Sequence, residues 1–169
     1  IDRITWPDEN PWQSWMRFGD FDFLDGGKAA AISTWNGDVW RVDGLDGRLD
    51  KLVWQRIASG LSQPLGLLTR GKADQEEILV LGRDQITRLV DLNDDGETDH
   101  YEAFNVDAMN SAHFHEPAGG LQEGPDGSVF YLKAARHAKL PAHPQHGTLI
   151  QAKGQTYSQP GPASASFLK

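Results

Sequence analysis

Cysteine is absent from the 169 residues, which excludes disulfides, thiolate zinc sites, iron–sulfur clusters and covalently held c-type haem within them. Long apolar runs are missing too: stretches such as Ile78-Leu79-Val80-Leu81 are far too short to cross a bilayer. Basic charge is in deficit. Lys and Arg number 16 against 24 Asp and Glu, for a net charge of −8, so a nucleic-acid backbone is not an expected partner. Helical periodicity is scarce, because Gly, Pro, Asn or Asp interrupts every candidate window. The chain opens Ile-Asp-Arg, without the basic-then-apolar pattern of a signal peptide, and an upstream signal stays open.

What remains is a β protein. Short runs of β-type residues bounded by turn residues recur along the chain. Lys28 to Thr34 leads into Asn36-Gly37, a hairpin signal because both residues tolerate positive φ. Asp38 to Val42 and Leu52 to Ala58 complete a first group. Glu77 to Leu81, Gln85 to Asp91 and His100 to Asn105 form a second, opened by Gln63-Pro64-Leu65-Gly66-Leu67. Glu116-Pro117-Ala118-Gly119-Gly120-Leu121 echoes that opening and starts a third, continued by Ser128 to Lys133 and Thr148 to Gln151. Spacings of this size match the roughly 40–50 residues of a propeller blade. The expectation is an all-β partial β-propeller, about three four-stranded blades of a six-bladed ring. A single β-sandwich with chance likeness between turns is the competing reading. Residues 1–27 would lead into the first blade, 28–152 would form the blades, and 153–169 would be a disordered or extended tail. A partial ring leaves two blade faces uncovered, so isolated stability should be poor.

The sharpest chemical motif is Asp91-Leu92-Asn93-Asp94-Asp95-Gly96-Glu97-Thr98-Asp99-His100-Tyr101-Glu102. Oxygen donors at alternate positions, Gly at the sixth and Glu at the twelfth follow the calcium-loop pattern of an EF-hand. The flanking strand-like runs make it a turn between blade strands and not a helical hand. Candidate ligands are Asp91, Asn93, Asp95, Asp99, the Glu97 carbonyl and Glu102. The same residues also suit an Asx-rich turn whose carboxylates cap backbone amides. A smaller acidic group, Asp20, Asp22 and Asp25, reads as a carboxylate-capped turn. His113 and His115 alternate as in an extended segment and precede the third inner strand. They are candidates for a general base or a metal pair, against the alternative of solvated loop histidines. His137, His143 and His146 lie in a long Lys-, Ala- and Pro-containing loop.

Several strings together resemble a known family. They are Met16-Arg17-Phe18-Gly19, Trp35-Asn36-Gly37-Asp38-Val39-Trp40-Arg41-Val42, Ile57-Ala58-Ser59-Gly60-Leu61-Ser62-Gln63-Pro64-Leu65-Gly66-Leu67, Gly82-Arg83-Asp84-Gln85-Ile86-Thr87-Arg88-Leu89, the acidic loop, and His113-Phe114-His115-Glu116. In order, they are similar to the exported "membrane-bound dehydrogenase" type proteins of planctomycetes and verrucomicrobia. Those carry a six-bladed propeller related to glucose and sorbosone dehydrogenases, often joined to a c-type cytochrome domain. The likeness runs from about Trp12 to Ile150. Leu121-Gln122-Glu123-Gly124-Pro125-Asp126-Gly127 also resembles a motif of soluble quinoprotein sugar dehydrogenases, in which a His stands five residues before the Leu. Here that position is Glu116, and His115 is one residue away.

The resemblance implies a parent that oxidises a sugar or alcohol with pyrroloquinoline quinone (PQQ) and passes electrons to a haem c domain, in the periplasm or outside the cell. It implies His115 as base, with His113 and Arg83 as neighbours, and the remaining cofactor contacts beyond residue 150, so that the fragment alone would be inactive. A non-catalytic, calcium-stabilised propeller that binds glycan or protein is the alternative.

Overall fold

Turn residues punctuate the chain into strands, all but the last of five to seven residues and the last of two, and neighbouring strands pair antiparallel. The computed structural model describes residues 3–71, 76–107 and 117–133, and the backbone of 148–152 and 165–166. The first sheet is a meander of β1 (Phe18–Leu24), β2 (Ala29–Thr34), β3 (Val39–Asp43) and β4 (Val53–Ala58). The second holds β5 (Gly66–Arg70), β6 (Glu77–Leu81), β7 (Ile86–Val90) and β8 (His100–Asn105). The third holds β9 (Ala118–Glu123), β10 (Val129–Lys133), β11 (Thr148–Ala152) and β12 (Ala165–Ser166). The only other regular element among the described residues is a 3-10 turn at Asp25–Gly27. No described helix is long and apolar enough to cross a membrane.

The strands fall where the sequence places them, with two differences. β1 lies inside the stretch read as a lead-in, because its Phe-Gly-Asp-Phe-Asp-Phe run alternates like a strand. The short β12 lies inside the stretch read as a tail and pairs with β11 through Leu149 and Ile150. The Asn36-Gly37 hairpin closes as expected: Gly37 has φ 106°, and the Thr34 amide donates to the Asp38 carbonyl at 2.8 Å.

Alternation sends each strand's side chains to two faces, and this builds the core in two layers. Between the first and second sheets lie Leu24, Ala29, Ala31, Val39 and Ile57 against Leu67, Val80 and Leu89. Between the second and third lie Leu68, Leu79, Leu81 and Ile86 against Ala118, Leu121, Val129 and Tyr131. Leu81 and Leu121 are wholly buried, and each such side chain contributes about 1.5–3 kcal/mol. The three sheets thus stack face to face and none is closed on itself, an arrangement that fits a partial β-propeller.

The first strands of the sheets run side by side, and small residues permit it. A methyl on Gly19 would run into the Pro64 carbonyl, and one on Gly119 would stand 2.8 Å from the Leu65 carbonyl. The Gly120 amide reaches that same Leu65 oxygen at 3.3 Å. Acidic side chains complete the seam. Asp20 accepts from the Leu67 amide at 3.0 Å and Asp22 from the Thr69 amide at 2.8 Å. Asp20 and Asp22 therefore sit on a strand edge and satisfy the neighbouring strand's N–H groups. They do not cap a turn, because a period of two sends both carboxylates to the same side of β1. Asp25 alone of that group is in a turn, where it pairs with Arg41.

Candidate functional site

The meanders give the stack two ends. The upper end carries the connections 34–39, 58–66 and 81–86, together with residues 105–107 and 117–118. The lower end carries 24–29, 43–53, 90–100 and 123–129, together with residues 70–71 and 76–77. The sequence-derived candidates divide between these ends.

The acidic loop lies at the lower end, between β7 and β8. Its carboxylates turn inward onto their own backbone. Asp91 accepts from the amides of Gly96 at 2.7 Å and Asn93 at 3.2 Å. Asn93 Oδ1 accepts from the Asp95 amide, Asp95 from the Glu97 amide, and Asp99 from the Leu92 amide. Gly96 at φ 84° and Asp94 at φ 58° make the bend. Loss of hydration pushes the Asp91 carboxyl up, but the amides of Gly96, Asn93, Asp94 and Asp95 together outweigh it and hold the group below the usual range. Glu102 is not part of this ring. It stands on β8 and pairs with Arg88 at 2.8 Å, in a chain that runs on through Glu77 to Arg70. Among the described residues, no three His, Cys, Asp or Glu side chains stand together in a way that could hold a metal ion.

The loop also reaches the first sheet. The Thr98 amide donates to the Ile57 carbonyl at 2.8 Å, and the Gln55 side-chain amide donates to the Gly96 carbonyl at 3.2 Å. From β8, the Tyr101 hydroxyl accepts from the Ser59 amide at 3.0 Å. These contacts bind β4, the outermost strand of the first sheet, to the connection that follows β7 in the second. Sequence reasoning singled out the loop for its oxygens and missed its partners. Gln55 and Tyr101 carried no signal beyond being polar residues at strand positions.

Arg83 is at the upper end, in the turn between β6 and β7. Its amide donates to the Ser62 carbonyl at 2.9 Å, and its carbonyl accepts from Lys133 Nζ at 3.4 Å. Lys133 is 2% exposed. Beside it on β10, Tyr131 is fully buried, and burial, with the nearby charge of Asp107, pushes its hydroxyl up to about 12. His113, His115 and Glu116 lie outside the described residues, as do His137, His143 and His146.

The quinoprotein-like string is a hairpin. Leu121 is in the core, the Gly124 amide donates to the Ser128 carbonyl at 2.7 Å, and Asp126 accepts from the Ser128 amide at 3.1 Å. Those Ser128 bonds hold the Asp126 carboxyl below the usual range. Upstream, the β9–β10 pairing slips between Phe130 and Leu132, and Gly120 takes φ 68° there. This is a β-bulge, in which Gly120 and Leu121 together oppose Tyr131.

A cofactor carrying carboxylates, as PQQ does, asks for open cationic donors, and Lys133 is not one, since it is buried and turned onto the Arg83 carbonyl. Comparison with protein-family models, with curated proteins and with solved structures finds no match.

Proposed function

We propose that this chain is a run of propeller-type blades that serves as a binding scaffold, with the Asp91–Asp99 loop acting as a clamp between two blades and taking up calcium in doing so. The observation that carries the reading is the loop's reach to Ile57 and Gln55 on the neighbouring sheet. A loop with no structural task would need only its own Asx turns. Hard oxygen donors on Asp91, Asn93, Asp95 and Asp99 suit calcium, and an ion there would replace amide contacts that now hold the carboxylates. Exposed aromatic rings on Trp6 and Trp15 give the module apolar surface of the kind that glycan or protein partners cover.

The test is thermal unfolding of the 169-residue chain in calcium and in EDTA. At a calcium level of about 100 times Kd the folded state gains about 2.7 kcal/mol. For a chain of this length that is a rise in Tm of roughly 5–10 °C. Identical melting curves, with no heat of binding in calorimetric titration, would remove calcium from the proposal. If Gln55→Ala and Tyr101→Phe then also leave Tm unchanged, the clamp goes with it.

A second reading, the PQQ-dependent dehydrogenase of sugars or alcohols that the resemblance implies, has one observation in its favour. The Gly120 bulge adds one residue to β9, and a shift of one residue is what an assignment of the family's base to His115, and not to Glu116, requires. Arg83 and both ends of the connection that carries His113 and His115 are at the same upper end. Sequencing onward in the parent gene separates the readings. A Cys-x-x-Cys-His haem motif and basic residues on later inner strands would support the enzyme, its cytochrome partner and its export.

A further inference from the structure

The first sheet packs on the second through one face and leaves its other face apolar. On that outer face Phe21 is 58% exposed and Phe23 54%, with Phe18 beside them. They border a hollow of about 570 Å³ that Ile32, Val42 and Trp54 also line. The segment before β1 covers only the upper corner, where Trp12 meets Trp40 edge-on with ring centroids 5.6 Å apart and Trp6 meets Phe18 at 5.5 Å. Three exposed phenylalanines on one strand make a contiguous patch of the kind that marks an interface.

Inside the chain the same contact is made twice. The leading face of the second sheet (Leu67, Ile78, Val80, Leu89) is buried under the first, and the leading face of the third (Ala118, Leu121, Val129, Tyr131) under the second. The face with Phe21 and Phe23 is the leading face of the first sheet, and among the described residues no other sheet packs on it. At the other extreme, the trailing face of the third sheet shows Leu132 at 50% exposure. Its counterparts on the earlier sheets, such as Ala31 and Leu79, are wholly buried. One chain therefore presents both halves of a contact it already makes twice internally.

We propose that the Phe21–Phe23 face binds a second copy of this chain head to tail, receiving the Leu132 face of that copy's third sheet. This does not rest on the calcium or dehydrogenase readings. Such a contact is heterologous, so it closes into a ring if the rotation allows and otherwise extends.

The test is sedimentation velocity of the 169-residue chain over about 1–100 μM, a range that populates contacts of micromolar Kd. Mass should rise with concentration to at least twice that of the chain. Phe23→Glu and Leu132→Glu should each weaken association by at least about tenfold, with far-UV circular dichroism unchanged. Mixing the two variants should restore it, because each keeps the face that the other has lost. Should either glutamate variant unfold, Phe23→Ser and Leu132→Ser replace them. A folded chain that stays monomeric at the highest concentration overturns the proposal and leaves the face to a different partner. So does a Leu132→Glu chain that associates like wild type, which would mean that two first-sheet faces meet, and so does a mixture of folded variants that remains monomeric.

Discussion

Tyr131 sits at the centre of the second core layer with its hydroxyl buried and without a hydrogen-bond partner among the described residues. A stranded hydroxyl costs roughly 1–3 kcal/mol, so Tyr131→Phe, which keeps the ring and removes the oxygen, should stabilise the fold by about 1 kcal/mol. For a chain of this length that is a rise in Tm of about 2–4 °C. The pH dependence gives a second, independent reading. The folded-state pKa of about 12 lies above the ordinary value of 10, so between the two the folded chain holds a proton that the unfolded chain has released. Stability from this group is full below about pH 10 and falls as pH rises toward 12. Two units at about 1.36 kcal/mol each set the loss at about 2.7 kcal/mol. Urea unfolding of wild type and Tyr131→Phe at matched pH isolates it, since other titrating groups cancel in the difference. The variant's advantage should be small near neutrality and widen steadily above about pH 10. If Tyr131→Phe is the less stable protein near neutrality, or if the difference does not change with alkaline pH, the hydroxyl has a partner and the reasoning fails.

Further predictions concern the seam between the first strands. Gly19→Ala should lose about 1–3 kcal/mol in chemical denaturation, because its methyl meets the Pro64 carbonyl and backbone must move. Gly47→Ala, where the nearest heavy atom to the added carbon is 3.7 Å away, should be within about 1 kcal/mol of wild type. Asp22→Ala strips the Thr69 amide of its acceptor and should cost about 1–3 kcal/mol, read as a lower urea midpoint at constant slope. Asp20→Asn should be nearly neutral at pH 7. Burial raises the Asp20 carboxyl against the bonds from Leu67 and Phe21, so the folded state holds its proton longer and loses stability as pH climbs above the ordinary value of 3.8. The asparagine variant should lack that acid-range slope.

Strand positions were legible because β-type runs and turn residues are local signals, and the core followed from alternation. Asn36-Gly37 and Pro125-Asp126-Gly127 each made the hairpin their chemistry demands. The lateral joining of sheets was not legible. Nothing in Asp20 and Asp22 announces that their acceptors are for amides 47 residues away, and next to Asp25 and two glycines they read as turn caps. Glu102 shows the same limit. Its place as twelfth residue of a calcium-type loop is a local pattern, while its pairing with Arg88 depends on strand register, which the sequence pattern leaves open. Register along β9 was equally hidden, since a single glycine in the left-handed region inserts a residue there that no local pattern announces.

Much of the acidic surplus is accounted for by the architecture. First strands that stand side by side without pairing expose a row of N–H groups, the liability of any sheet edge. Asp20 and Asp22 answer two of them. Glu77 joins Arg70 to Arg88, and Asp25 with Asp43 holds Arg41, so these carboxylates neutralise arginines at the lower end of the sheets. The loop after β7 lies at the same end, and its oxygens already have amides. The lower end of the described sheets is therefore committed to holding them together, its carboxylates taken up by arginines of the same sheet or by backbone amides.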